Sequence, residues 1–215
     1  MAPNLPRILI VDDHLIVRMG LRAVIEQSGR YAIGGEAGTP TEALQFITKA
    51  QPDLLVLDLM LGGRSGTDLV TQCLRTAPAI RILVLSQHDE AIYAERVIAA
   101  GAHGYLMKGS DLEGVVQALD TLMRGEIALS PRMNAHLLKR RLHGKPGDRY
   151  SELSNREMQI FLLIGAGRTT GEIAAELNLS PKTIGAHREN IKTKLGLATA
   201  AELEREATLH VEGGN

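Results

Sequence analysis

From residue 7 to about 124, apolar positions follow two alternating patterns. Short, nearly unbroken Val/Ile/Leu runs (RILIVDD, YAIGGEA, DLLVLDL, RILVLS, GYLMK) are separated by segments whose apolar residues recur at helical spacing. Those segments are LIVRMGLRAVIEQ, TEALQFITKA, GTDLVTQCLRTA, AIYAERVIAAGA and DLEGVVQALDTLMR. The pattern predicts five βα units. Continuous rather than alternating apolar character implies strands buried on both faces, hence a parallel sheet wrapped by helices. Local punctuation agrees, because Thr39-Pro40-Thr41-Glu42 combines an N-cap, a first-turn proline and the glutamate of a capping box.

After Gly125 the alternation stops. A short segment of helical character, Pro131 to Leu142, precedes a polar Gly/Pro-containing stretch, HGKPGDR, at His143 to Arg149. From Tyr150 no strand-like run occurs, and helix starts are marked at Ser154-x-x-Glu157, Thr169-x-x-Glu172, Ser180-Pro181 and Thr199-x-x-Glu202. The expected organisation is an α/β domain over 7–124, a linker with a short helix over 125–149, and a four-helix all-α domain over 150–211.

Composition narrows the class without changing this division. The 215 residues are 44% hydrophobic, enough for two small cores, and no run approaches the roughly 18 apolar residues of a membrane span. The opening MAPNLPR lacks the apolar segment of a signal peptide. A soluble, cytoplasmic protein with no membrane partner is expected. The single cysteine, Cys73, reads as a small buried side chain. The net charge of −1 conceals an asymmetry: residues 1–126 carry 11 Lys and Arg against 15 Asp and Glu, a balance of −4, whereas 127–215 carry 13 against 10, or +3. That suits cation binding in the first half and polyanion binding in the second.

The first strand ends on Asp12 and Asp13. Alone, such a pair reads as a turn residue and a cap for a helix starting near His14. In an open parallel sheet, however, ligands bind at the carboxyl ends of strands, and the common five-strand order 2-1-3-4-5 makes strand 1 the neighbour of strand 3. Strand 3 ends at Asp58. Three carboxylates then converge, a costly arrangement unless a cation lies between them. Few carboxylates and an open remainder favour Mg²⁺. The fourth strand stops at Ser86, a hydroxyl donor, and the fifth at Lys108, an ammonium placed to compensate a phosphoryl group. Asp58 is then suited to act as a carboxylate nucleophile, with Mg²⁺, Lys108 and Ser86 neutralising charge.

The ordered set Asp12-Asp13, Asp58, Ser86 and Lys108 resembles the receiver domain of bacterial response regulators over residues 7 to about 124. The resemblance implies that Asp58 is the phosphoacceptor, that Asp12, Asp13, Asp58 and the Met60 carbonyl hold Mg²⁺, and that Ser86 moves toward the phosphoryl group as Tyr105 reorients. It also implies a sensor histidine kinase as phosphodonor. Gly109 departs from the family, which usually places a proline after the lysine, so a looser Lys108 loop is expected.

In the second half, Thr169 to Leu195 reads as a helix, a turn around Asn178-Leu179, and a second helix capped by Ser180. On that second helix Ile184, Ile191 and Leu195 share one face and should pack inward, with Lys182, Ala186, Glu189, Asn190 and Thr193 outward. Residues 180–195 hold four Lys and Arg against one acid, which suits a DNA major groove. Leu153-Ser154-x-Arg156-Glu157, Glu172-Ile173-Ala174, Lys182-Thr183-Ile184 and His187-Arg188-x-Asn190-Ile191-x-x-Lys194-Leu195-Gly196 resemble the LuxR-type DNA-binding domain. Joined to a receiver, the chain resembles a NarL/FixJ-type response regulator.

That resemblance implies base reading at Gly185, Ala186 and Glu189, with Lys182, Thr183, His187, Arg188, Lys192 and Lys194 near the DNA backbone. Helical geometry turns His187 toward the buried side. Gly185 offers no side chain for readout, so specificity falls to Glu189, Asn190 or DNA shape. The expected protein is a dimeric, phosphorylation-switched regulator of promoter DNA, with no catalysis beyond its own phosphorylation and dephosphorylation at Asp58. The alternatives are a receiver-controlled protein-interaction module with weak or lost DNA readout, and a phosphatase. No inserted cap segment supports the phosphatase.

Overall fold

The computed structural model describes residues 5–61, 64–87, 90–108, 112–135, 137, 150 and 152–213. The chain divides into two compact units, Met1–Gly144 and Lys145–Asn215. Gly109, the 143–149 stretch and much of the expected 131–142 helix beyond residue 135 lie outside the described residues.

The first unit runs β1 (Arg7–Val11), α1 (Leu15–Gln27), β2 (Ala32–Ala37), α2 (Pro40–Ala50), β3 (Leu54–Asp58), β4 (Met60–Leu61), β5 (Arg64–Ser65), α3 (Gly66–Thr76), β6 (Arg81–Ser86), α4 (Glu90–Ala99), β7 (Gly104–Met107) and α5 (Leu112–Met123). Its main sheet is parallel and five-stranded, in the order β2-β1-β3-β6-β7. This is the flavodoxin-like order expected for an open sheet of five parallel strands. The strands RILIV, LLVLD and RILVLS are buried along nearly their whole length because helices cover both faces. Helices α1 and α5 pack on one face, and α2, α3 and α4 on the other. Ile8, Ile10, Leu54, Val56, Leu83 and Leu119 form the centre of the α1/α5 side.

The small antiparallel pair β4-β5, in the loop after Asp58, has no signature in the apolar pattern. Gly66 closes it: its N-H donates to the Leu59 carbonyl at 2.9 Å, and a Cβ at that position would come within 2.5 Å of the same oxygen. Only glycine lets the two backbones approach so closely.

Beyond α5 the chain returns to the open edge of the sheet. Ala128 bridges Gly104, its N-H donating to the His103 carbonyl at 3.0 Å and its carbonyl accepting from Tyr105 at 2.9 Å. Ser130 caps a short helix α6 at residues 131–135: its hydroxyl accepts the Met133 N-H at 3.1 Å. The Glu90 carboxylate at the start of α4 accepts both the Ser130 N-H, at 3.0 Å, and its hydroxyl.

The second unit holds α7 (Asn155–Gly165), α8 (Thr170–Glu176), α9 (Pro181–Leu195) and α10 (Ala200–Gly213). Ser154 and Thr169 each form a full capping box, and Ser180 accepts the Thr183 N-H with Pro181 in the first turn. Asn178 takes a left-handed conformation (φ 52°) in the turn between α8 and α9, and Gly196 ends α9 the same way. Ile184, Ile191 and Leu195 are buried, whereas Lys182, Ala186, Glu189, Asn190 and Thr193 are exposed, so the inward and outward faces of α9 fall as the periodicity predicts. No described helix is long and apolar enough to cross a membrane.

Candidate functional site

Strands β1 and β3 pair in register, Val11 beside Leu57, which brings the residue after each, Asp12 and Asp58, to the same carboxyl end of the sheet. Both carboxylates are almost wholly buried. Lys108, just past β7, reaches between them: its ammonium lies 2.6 Å from Asp12 Oδ2 and 2.9 Å from Asp58 Oδ2. The Lys108 backbone N-H is anchored on the Ser86 carbonyl at 2.6 Å. Ser86 itself ends β6 and is fully buried, as is Tyr105 on β7. The Met60 N-H donates to Asp58 Oδ1 at 3.3 Å.

Asp13 points outward and His14 stands over the pair, with Nδ1 2.7 Å from Asp13 Oδ1 and 3.3 Å from Asp12 Oδ1. Ligand-capable atoms of Asp12, Asp13, His14 and Asp58 all lie within 4.8 Å of one another. A set dominated by carboxylate oxygens suits a hard divalent cation. Sequence reasoning passed over His14, although its place beside two aspartates was the available signal. The structure also separates the two readings of the aspartate pair. The start of α1 has no side-chain cap, and it is Asp12, not Asp13, that accepts the His14 N-H, at 2.8 Å.

The electrostatics are those of a tight buried cluster. Burial pushes the Asp58 carboxyl above its ordinary value, against the pull of the neighbouring ammonium. For Lys108, burial alone would lower the ammonium, but its bond to Asp12 and the charge of Asp58 outweigh this and raise it. The lysine therefore stays charged at neutral pH. Cys73 is buried in α3, its thiol pushed up to about 12, and is chemically inert there.

On α9 the cations are largely spoken for. Lys194 donates to the buried carboxylate of Glu157 at 2.6 Å, Arg188 to Glu204 at 2.8 Å, and Lys192 lies 3.0 Å from Glu189. Thr183 belongs to the cap, its hydroxyl 2.8 Å from that of Ser180. His187 is half-buried; its Nδ1 has no hydrogen-bond partner among the described residues, and burial lowers its pKa. Beyond the backbone of its own stretch of helix, nothing lies within 4 Å of the place a Cβ on Gly185 would occupy.

Two family patterns match this chain: the response regulator receiver domain over residues 8–120, and the bacterial regulatory proteins of the luxR family over 151–207. The chain is a response regulator of the luxR family. It is 31% identical over 205 residues to the response regulator GacA of Pseudomonas aeruginosa, covering 95% of this chain and 96% of that protein. It is 33% identical over 195 residues to the transcriptional regulatory protein LiaR of Bacillus subtilis, covering 89% and 92%. Among solved structures it is similar to a LuxR-family two-component response regulator from Aurantimonas (TM-score 0.60, 35% identity, 65% of this chain and 99% of that one). It is also similar to RcsB in an RcsB–DNA complex (TM-score 0.58, 27% identity, 94% and 97%). This response regulator thus joins a receiver to a LuxR-type DNA-binding domain and belongs to two-component transcription regulation.

Proposed function

We propose that Asp58 accepts a phosphoryl group from a sensor histidine kinase and that this switches binding of promoter DNA by a pair of chains. The reading assigns the receiver to 7–124, the linker to 125–149 and the DNA-binding domain to 150–211, in a cytoplasmic protein whose only catalysis is phosphorylation and dephosphorylation at Asp58. The observation that carries it is the Lys108 ammonium bridging buried Asp12 and Asp58 at the strand ends. Asp12, Asp13 and Asp58, with the Met60 carbonyl, would hold Mg²⁺, which supplies positive charge for the oxygens of the incoming group. An Asp58 oxygen forms the new bond to phosphorus as the bond to the donor histidine nitrogen breaks. Lys108 then follows the charge from the free carboxylate to the acyl phosphate, and Ser86 donates its hydroxyl while Tyr105 reorients behind it.

On α9, Lys182, Thr183, His187, Arg188, Lys192 and Lys194 would line the DNA backbone. Gly185, Ala186, Glu189 and Asn190 would face base edges. A second reading, a receiver-controlled protein-interaction module with weak or lost specific DNA readout, draws support from the ion pairs that already occupy Arg188, Lys192 and Lys194.

The test is recovery of genomic DNA fragments at physiological salt by wild type given a small phosphodonor and Mg²⁺, beside Asp58→Ala. A few loci enriched by wild type alone is the expected result. Equal, unselective recovery by both proteins would overturn the switch and favour the second reading.

A further inference from the structure

A second cation lies against the acidic cluster, bonded to its backbone and not to its carboxylates. Arg18, in the second turn of α1, has a side chain only 16% exposed. Its Nη1 donates to the backbone carbonyl of Asp12 at 2.6 Å, and its Nε donates to Glu36 Oε2 at 3.2 Å. We infer that Arg18 is a positioning residue of the cation site, holding the Asp12 peptide so that its carboxylate presents the geometry that Mg²⁺ needs. The inference rests on the cation reading proposed above.

Asp12 sits between the end of β1 and the start of α1, where ladder bonding stops. Its N-H is held by the Ala37 carbonyl of β2 at 3.2 Å, and Arg18 holds the carbonyl from the opposite direction. With the peptide held at both ends, only the two side-chain torsions remain free. These are constrained by the His14 N-H on Oδ1 and the Lys108 ammonium on Oδ2. Mg²⁺ tolerates little departure from octahedral geometry, so a ligand oriented beforehand binds more tightly than one that must be ordered on binding.

The charge of Arg18 is largely offset where it stands. Glu36, on β2 beside Ile10, accepts Arg18 and also takes Arg22 Nη2 at 2.5 Å. What Arg18 contributes is therefore a planar fork that spans two acceptors, for which an arginine is suited and a lysine is not.

The two possible roles of Arg18 predict opposite signs. If it acted only through charge, removing it would tighten Mg²⁺ binding; as a positioning residue, its removal weakens binding. Calorimetric titration of the full chain with Mg²⁺ alone reads this directly. Arg18→Met is expected to weaken the affinity by about tenfold, the lower end of what loss of a partner that orients a metal ligand costs. Arg18→Lys, which has one nitrogen for two acceptors, should recover only part of the loss.

Arg22→Met removes a neighbouring partner of Glu36 that bonds Glu36 and Glu26 and not Asp12, and should leave the affinity unchanged. Melting curves on each variant establish that it is folded. An Arg18→Met protein that binds Mg²⁺ as tightly as wild type or more tightly would overturn the inference, and so would an equal loss in Arg22→Met. Absence of Mg²⁺ binding by wild type itself would instead overturn the cation reading on which the inference stands.

Discussion

The two units carry their charges in opposite ways. At the sheet end, Asp12, Asp58 and Lys108 come from positions far apart in the chain and meet in a buried cluster. On α9 the cations lie close in sequence, and two of the three meet carboxylates that stand in water: Glu189, paired with Lys192, is 71% exposed and Glu204, paired with Arg188, is 59% exposed. A buried cluster makes each charge depend on the others, because an unpartnered ion in a low-dielectric site is expensive. An exposed series is nearly additive and screened by salt. The first arrangement suits a chemical step whose outcome is all or none, the second a graded grip on a polyanion.

The largest expected effect is that of Lys108→Ala. In a buried cluster its loss should abolish function rather than trim it, so phosphoryl uptake from a small phosphodonor with Mg²⁺ should fall by about 10²-fold or more, read on phosphate-affinity gels. A reduction of only twofold or so would mean that the sheet-end charges are as independent as those on α9.

The next largest effect tests the one of these α9 pairs whose carboxylate is buried. Glu157 is buried, and although burial would raise its carboxyl, the bonds from Lys194 and Ser154 hold it below the ordinary value. Glu157→Gln keeps an acceptor for the Ser154 N-H but leaves Lys194 without its counter-charge. With Lys194 partly exposed, the expected loss is about 1–2 kcal/mol in denaturant unfolding of the second unit. The same substitution should free Lys194 for phosphate and steepen the salt dependence of DNA binding by about one contact.

A smaller effect should appear in the pH dependence. His187 titrates below its ordinary 6.5 when folded, because burial disfavours the imidazolium. Above pH 6.5 both folded and unfolded chains carry it neutral. As pH falls below 6.5 the unfolded chain takes the proton first, so the second unit loses stability until the lowered folded pKa is passed, and the loss then levels off. Urea midpoints at pH 7.5 and 5.5 measure this, and His187→Leu should flatten that part of the profile.

The smallest expected effect is a gain. Gly185 sits inside α9 with open space where a Cβ would go, so Gly185→Ala should stabilise the helix by about 0.5–1 kcal/mol in thermal unfolding. If DNA backbone or bases approach Gly185 closely, the same methyl group should weaken DNA binding while stabilising the free protein.

The division of labour between sequence and tertiary structure follows from what each signal depends on. Strand and helix identity, the capping boxes at Ser154 and Thr169, and the inward face of α9 depend on neighbours within a few residues. The linear pattern therefore carries them, and with the preferred strand order it also brings Asp12, Asp58, Ser86 and Lys108 to one edge. Partner choice among charged side chains does not have that property. An arginine or lysine reaches any acceptor within several ångströms, and which acceptor is nearest depends on how separate elements pack.

That is why Arg188 and Lys194, alike as basic residues on one helix, prove to be tied to Glu204 on α10 and Glu157 on α7, whereas the Lys192–Glu189 pair follows from helical spacing alone. It is also why Arg18, an ordinary helix-surface arginine in the sequence, turns out to hold the Asp12 carbonyl, and why the loop pair β4-β5 escaped the apolar pattern. The linear pattern names the residues able to carry charge to the sheet end and to α9; the packing of β1, β2 and α1, and of α7, α9 and α10, selects which charges meet between elements, because Coulomb attraction and hydrogen bonding across space leave no period along the chain.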